Sequence, residues 1–411
     1  MNTRNLPPAG HSIPLRAILS SFLRKEKSRD LLKGFFPGRR VFWVNSGTAA
    51  LTLSLKAISL TSNRKKVILP AYSCPSVLAS VIKAGLQPVL CDVNLNDFNL
   101  KTENLKLKIC EDTLAVVAVH LFGIPENIFD LRELTQKKGV VLVEDAAQAF
   151  GNKILLNSFS PNTHNLPLNT NQYLGSFGDI GILSFGRGKP LSMLRGGAVL
   201  VNNSEFEEVI RKEYGSLPPE LSPSFFGYFL NLIAYSTFFH PNLYWIPQRL
   251  PWLKLGETIF SLDFEVRKLN SNVLELGKNL ILNFEKVRKR RGDLAKIYRE
   301  KLGKIKEEFL YFPEVNEEAM SLLRFPLVLR RKEKRDPILN ILREKGLGAT
   351  GMYPVPLNEQ RGIPKDLFKG ESYPNAKHHS ERILTLPLHE HVSINDIEII
   401  CQDIEKHLPT R

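Results

Sequence analysis

Between Val41 and Tyr214, short apolar runs alternate with longer stretches of helical periodicity, and this alternation narrows the possible folds more than any other feature. Strands are predicted at 66–69, 87–92, 114–119, 139–143, 181–185 and 197–202, with helices at about 48–59, 75–84, 127–138 and 204–214. Runs such as Val140-Val141-Leu142-Val143 are apolar and largely β-branched, the signature of strands buried on both faces. Alternating strand and helix predict an α/β domain whose mainly parallel sheet carries helices on both sides.

At 411 residues the chain exceeds a single simple core and implies two domains. Beyond the alternating region, a long helix at about 271–301, a strand near 322–329, a helix at about 336–345 and a final helix at about 393–408 make a smaller α/β domain. The division is an N-terminal arm at 1–40, a large domain at 41–220, an aromatic-rich connection at 221–262 and a small domain at 263–411.

Three segments carry chemistry. Lys189 comes after an apolar strand in Gly186-Arg187-Gly188-Lys189-Pro190, shortly before Gly196-Gly197. Such a lysine can reach into a cleft and form a Schiff base with an aldehyde cofactor, although read alone it also fits a solvated loop. Asn45-Ser46-Gly47-Thr48-Ala49-Ala50-Leu51 joins a strand to a helix. Its small residues leave backbone N–H groups free for an anion, or simply cap the helix. Val143-Glu144-Asp145-Ala146-Ala147-Gln148 ends a strand in two carboxylates, where open α/β sheets bind ligands. Asp145 is placed either to face a cofactor ring nitrogen or to cap the next helix, and Gln148 lies about one turn further on.

Together these segments resemble the DegT/DnrJ/StrS family of pyridoxal-phosphate (PLP) sugar aminotransferases. The likeness runs from about Val41 onward through Ser46-Gly47-Thr48-Ala49-Ala50-Leu51, Pro70-Ala71-Tyr72, Gly85-Leu86-Gln87-Pro88-Val89 and His120-Leu121-Phe122-Gly123. It continues through Glu144 to Gln148, Gly175 to Gly181, Ser184-Phe185, Lys189, Gly196-Gly197-Ala198 and Leu384-Thr385-Leu386-Pro387-Leu388-His389. The resemblance implies the PLP-dependent transferase fold of type I, with Lys189 as the Schiff-base lysine and proton carrier. It implies Asp145 against the pyridine nitrogen and Gln148 on the ring's oxygen side. Thr48, Ser184 and the backbone around Gly47 and Ala49 would hold the phosphate. The implied reaction takes an amino group from an amino acid, L-glutamate by analogy, to a keto-sugar, nucleotide-linked, in polysaccharide or cell-surface glycan synthesis. A homodimer with its active site at the subunit interface is implied as well.

The sequence departs from the family at four places. Cys74 stands where many members stack an aromatic residue on the ring, so that either Cys74 or Tyr72 is left to contact it. Leu194-Arg195-Gly196-Gly197 replaces a Gly-Glu-Gly-Gly pattern. The stretch from Asp263 to Asn270, with Arg267, corresponds to a loop that in relatives reaches the neighbouring subunit's site. Gly151 to Gly175 is long and rich in Asn, Ser and Pro, and reads as a mobile loop, an insertion in preference to a cover over the site. Relatives that act as sugar dehydratases carry histidine in place of the lysine, and Lys189 argues against that activity. A regulatory paralogue that keeps the fold without turnover is the alternative of a different class.

The net charge of +14 suits phosphorylated or nucleotide-linked substrates or an anionic surface. Lys286 to Arg291 lies on a helical pattern and reads as a solvated face, so no nucleic-acid role is expected. The four cysteines, Cys74, Cys91, Cys110 and Cys401, are far apart without metal-ligand spacing. With a polar, proline-containing stretch from Met1 to Arg16, they point to a cytoplasmic protein without metal. Phe225 to Trp252 is unusually aromatic but interrupted by Asn231, His240-Pro241 and Pro247, which excludes a transmembrane helix. It reads as a packing surface within the dimer, with peripheral membrane contact as the alternative.

Overall fold

The computed structural model describes residues 4–23, 31–155, 171–220, 225–250, 258–315, 320–364 and 366–408. The alternating region folds as read. Strands β1 (Arg40–Val44), β2 (Lys66–Pro70), β3 (Gln87–Cys91), β4 (Thr113–Val119) and β5 (Val141–Asp145) run through the first half of the chain. The short β6 (Lys153–Leu155) and β7 (Asn171–Tyr173) pair only with each other. Then come β8 (Ile180–Ser184) and β9 (Gly197–Val201), and the central sheet has the order β1-β9-β8-β5-β4-β2-β3. It is parallel except for β9, which pairs antiparallel with both β8 and β1. The reason is local: β8 and β9 are joined directly through 185–196, and the helical crossover that a parallel return requires is missing.

Helices cover both faces. They are α1 (Leu15–Leu23), α2 (Gly47–Ile58), α3 (Pro75–Lys83), α4 (Thr102–Lys108), α5 (Ile128–Lys138) and α6 (Glu207–Ser216). Successive strand residues feed opposite cores. Val67, Leu69, Ala115, Val117 and Val143 join one, while Ile68, Val116, Ala118 and Leu142 join the other. A sheet so buried needs apolar residues at every position, which is why its strands read as continuous runs.

The connecting segment forms two helices, α7 (Phe225–Phe238) and α8 (Pro241–Gln248). The rest of the chain contains α9 (Ser271–Ile281), α10 (Phe284–Leu302), β10 (Leu310–Tyr311), β11 (Arg324–Leu329), α11 (Lys332–Glu344), α12 (Pro374–Arg382), β12 (Ile383–Pro387) and α13 (Ile394–His407). Its antiparallel sheet has the order β10-β11-β12. The single helix expected at 271–301 is instead two, broken at Leu282-Asn283. The break lets the buried faces differ: α9 buries Val273, Leu276 and Leu280 beside the central sheet, whereas Leu294, Ala295 and Tyr298 of α10 enter the other core. Of the long Asn-rich stretch, the two ends pair as β6 and β7, and 156–170 lie outside the described residues.

The aromatic segment packs within its own chain. Tyr228, Leu232 and Phe239 are buried, Ser236 Oγ donates to the Ile13 carbonyl at 2.6 Å, and Tyr235 Oη donates to that of His11 at 3.3 Å. Among the described residues, no helix is long and apolar enough to cross a membrane.

Candidate active site

A cleft of about 660 Å³ opens at the carboxyl ends of β4, β5 and β8, where an open α/β sheet is expected to bind. Gly47, Thr48, Cys74, Asp145, Gln148, Ser184 and Lys189 all line it. Seven residues scattered over more than a hundred positions of sequence thus meet in one place.

Strand geometry separates the paired carboxylates. Neighbouring side chains of β5 point to opposite faces. Glu144, fully buried, turns away from the cleft, where its carboxylate accepts from the N–H groups of Gly175 (2.6 Å), Phe177 (2.6 Å) and Gly178 (2.8 Å) and from His120 Nε2 (2.9 Å). Asp145 faces the cleft. Its Oδ1 accepts from the Ala147 N–H at 2.9 Å within a turn, and no helix follows β5 for it to cap. Oδ2 takes no hydrogen bond among the described residues. Burial pushes the Asp145 carboxyl up from its ordinary value, against the Ala147 N–H and the nearby Lys189.

The anion cradle is the start of α2. Ser46 caps the helix by accepting from the Ala49 N–H at 3.0 Å. Ala49 is therefore not brought to the cleft: it is fully buried and its N–H is already used. The Gly47 and Thr48 N–H groups belong to the first turn, which has no intrahelical partners to offer them. A Cβ on Gly47 would lie 2.6 Å from Ser184 Cβ, so only glycine lets β8 approach the helix start this closely.

Lys189 sits on the 185–196 connection, half-buried, and makes no ion pair among the described residues. Its loop is braced from behind. Met193 N–H donates to the Phe185 carbonyl at 2.8 Å, and Ser192 N–H to His11 Nε2 at 2.7 Å. The buried Arg291 donates to the carbonyls of Pro190 (3.1 Å), Gly10 (3.1 Å) and Leu388 (3.3 Å), tying the lysine loop to the arm and to the end of the β10-β11-β12 sheet. Burial lowers its pKa to about 10, which keeps it cationic at neutral pH.

Gln148 is held at both ends of its amide: Oε1 accepts from Phe122 N–H at 3.1 Å, and Nε2 donates to Tyr353 Oη at 3.1 Å. One amide N–H remains for a ligand. Cys74 lines the cleft with Sγ 2.9 Å from Ser76 Oγ. Tyr72 does not line it, because its hydroxyl is buried between the Met352 carbonyl (2.7 Å) and the Tyr353 N–H (2.8 Å). The other departures resolve locally. Arg195 pairs with Glu220 at 2.7 Å, and Arg267 pairs with Glu265 of its own chain at 2.6 Å.

Several lining residues were not assigned to a site from the sequence. His120 follows β4, its N–H donating to the Asp145 carbonyl at 3.1 Å. Its Nδ1 accepts from Glu126 N–H at 2.9 Å, so Nε2 carries the proton that Glu144 receives. Its place just past a strand end was a usable signal. Arg324, Tyr353, the arm residues Pro7, Pro8 and Ala9, and Tyr235, Phe239 and Tyr244 arrive from distant segments, and no spacing links them to the site.

PLP fits these residues: a helix start opened by Gly47 for its phosphate and, among the described residues, an unbonded carboxylate oxygen for its ring nitrogen and a lysine without an ion pair for its aldehyde. The comparisons agree. The profile of the DegT/DnrJ/EryC1/StrS aminotransferase family matches residues 31–217 and 274–405. A UDP-N-acetyl-3-dehydro-alpha-D-glucosamine 3-aminotransferase of Acidithiobacillus ferrooxidans is 32% identical over 174 residues, 42% of this chain and 43% of that one. A GDP-perosamine synthase of Vibrio cholerae is 29% identical over 160 residues, 39% of each chain. The matched stretch thus spans less than half the length of either relative. The fold is that of Helicobacter pylori PseC, an aminotransferase involved in the biosynthesis of pseudoaminic acid, with a TM-score of 0.73, 19% identity and coverage of 97% of this chain and 98% of that one. The chain belongs to the DegT/DnrJ/EryC1/StrS aminotransferase family, on the fold of the PLP-dependent transferases.

Proposed function

We propose that this protein moves an amino group from L-glutamate to a keto-sugar carried on a nucleotide, using PLP, in the synthesis of a polysaccharide or cell-surface glycan. The observation that carries this reading is the meeting of Lys189, Asp145 and the Gly47–Thr48 helix start in one cleft. PLP, when bound, supplies an aldehyde that condenses with amines and a ring that withdraws electrons from the bond being broken.

The protein's own residues do the rest. The first N–H groups of α2, with Thr48 and Ser184, hold the phosphate. Asp145 holds a proton on the ring nitrogen, since a buried carboxylate is stabilised by a cation set against it. Gln148, fixed by Phe122 and Tyr353, turns its free N–H to the ring oxygen. Lys189 would hold the cofactor's aldehyde and, as a free amine, would take a proton from the donor's α-carbon and give one back. Tyr235, Phe239 and Tyr244 close the far wall and limit water at the reacting carbon.

The test is the absorbance of the PLP-loaded protein before and after L-glutamate, beside Lys189→Ala. The wild type should lose its visible band to the ultraviolet band of the amine form, and the variant should convert at least ~10³-fold more slowly. A wild-type spectrum unmoved by glutamate and by a panel of other amino acids would sink the aminotransferase reading in favour of a regulatory one. We propose a homodimer as the working unit, which light scattering on the same sample checks; a monomeric mass at working concentration would refute it.

A further inference from the structure

We propose that His11 is a positioning residue for Lys189, holding the lysine's loop by accepting from the Ser192 N–H, an inference that rests on the aminotransferase reading above. The loop between β8 and β9 has neither helix nor strand around Lys189. Just beyond the lysine, Pro190, Leu191, Ser192 and Met193 are buried, so their backbone polar groups need partners other than water. Met193 finds one inside the loop, on the Phe185 carbonyl, whereas Pro190 and Ser192 reach outside it. The Pro190 carbonyl accepts from Arg291 of α10 at 3.1 Å. The Ser192 N–H donates to His11 Nε2 at 2.7 Å. Arg291 lies within the stretches that the family profile matches, and His11 lies before them. The support of the lysine is therefore completed by a side chain of the N-terminal arm.

Both ring nitrogens of His11 are committed. A nitrogen that accepts from a backbone N–H carries no proton, so Nδ1 holds the hydrogen and donates it to the Ser12 carbonyl at 2.9 Å. Two bonds fix the ring, and only the neutral imidazole can make both. Protonation would set an N–H against the Ser192 N–H and undo the brace. Burial, with the charge of Arg291, pushes the His11 pKa below its ordinary value of 6.5, so the ring is neutral at pH 7. The charged and titratable groups on the elements around it are Arg291 of α10, Glu390, His389 and His391 after β12, Tyr235 of α7 and Arg187 of the loop.

A brace works only if it is anchored. Glu390 accepts from the Ser12 N–H, Ser12 Oγ bonds to His391 Nε2 at 2.9 Å, and Arg291 donates to the Gly10 carbonyl at 3.1 Å. Arg291 and His11 thus grip the loop at Pro190 and Ser192, and they also hold each other's elements in place. Lysine has a long flexible stem, so where its amine waits depends on a fixed backbone, and a misplacement of about 1 Å can cost roughly 100-fold in rate.

The experiment pairs hydrogen exchange with kinetics on the full-length protein. Without cofactor, His11→Leu should make the backbone N–H groups of 191–194 exchange at least ~10-fold faster, while those of β5 keep their wild-type rates. His11→Gln, whose amide oxygen can take the Ser192 N–H but cannot titrate, should stay within about threefold of wild type in the same segment. With PLP, His11→Leu should lower the saturated rate of conversion by glutamate roughly 10-fold and change the glutamate concentration for half-maximal conversion by no more than about threefold. The glutamine variant should recover most of that rate at neutral pH, and should lose less of it than the wild type as pH falls below 6.5. That profile decides the matter should the leucine variant fail to fold. Unchanged exchange at 191–194 in His11→Leu overturns the proposal, and so does a rise spread evenly over the protein, which would mean a general loss of stability. An acid limb unchanged in His11→Gln overturns it too, since the titrating group would then lie elsewhere, His389 and His391 included. A wild type that no amino acid converts, with exchange still faster in His11→Leu, would defeat the aminotransferase reading while leaving the brace standing.

Discussion

The two ends of the cleft are built differently. At the cofactor end, side chains come from strand ends of one parallel sheet, inside the stretch 31–217 that the family profile matches. The far wall comes from Pro7 to Ala9 and from Tyr235, Phe239 and Tyr244, in two segments the profile leaves out. Those segments lie more than two hundred residues apart in sequence, yet they fold together. Asn5 N–H donates to the Pro241 carbonyl at 2.8 Å, and Ser236 and Tyr235 bind the arm at Ile13 and His11. Gly10, at φ +122°, lies where a Cβ would come within 2.7 Å of Tyr235 Oη. A shared sheet fixes where the chemistry happens, and an added wall decides what is admitted to it.

This contrast can be broken first at its cofactor end. Asp145→Asn should slow conversion by glutamate roughly 100-fold or more, since the charge facing the ring nitrogen is lost. Its effect on stability should run the other way in cofactor-free protein. Burial raises the Asp145 pKa above 3.8, so the folded state binds this proton more tightly than the unfolded state. The stability so contributed is full below 3.8 and disappears as pH rises through the raised value, leaving a buried charge at neutral pH. Asparagine has no such charge. The variant should therefore melt above the wild type at pH 7, and the gap should close on acidification, as thermal scans against pH will show. Equal melting at both pH values would mean that Asp145 is not strained in the free protein.

The same contrast explains which residues could be read in advance. β5 could be read because a strand buried on both faces must be apolar throughout, and Asp145 because a carboxylate just past such a strand sits at the expected ligand edge. Lys189 and the Ser46–Thr48 turn were legible for the same reason. The role of Glu144 was hidden: only the alternation of β5 shows that it ties down the 175–178 turn. Ala49 looked like a phosphate donor until the Ser46 cap claimed its N–H. The break between α9 and α10 left no Pro or Gly in the sequence, since it arises from two cores that each claim one face.

The smallest effect on chemistry, and the sharpest on selectivity, is expected at the far wall. Tyr235 stacks on Phe239 with ring centroids 5.4 Å apart and is held by the His11 carbonyl. Tyr235→Ala should cost about 3 kcal/mol of stability through the cavity it leaves. It should change the half-reaction with glutamate by no more than about threefold, because no atom of Tyr235 is needed to move a proton at the ring. The second half-reaction should weaken more, as a rise in the acceptor concentration needed for half-maximal rate, because the acceptor is the larger substrate and must lie along this wall. Tyr235→Phe, which keeps the ring and loses only the bond to His11, should stay near wild type in both. Were Tyr235→Ala to impair both half-reactions equally, the wall would be part of the catalytic frame, and the division between a shared sheet and an added wall would fail.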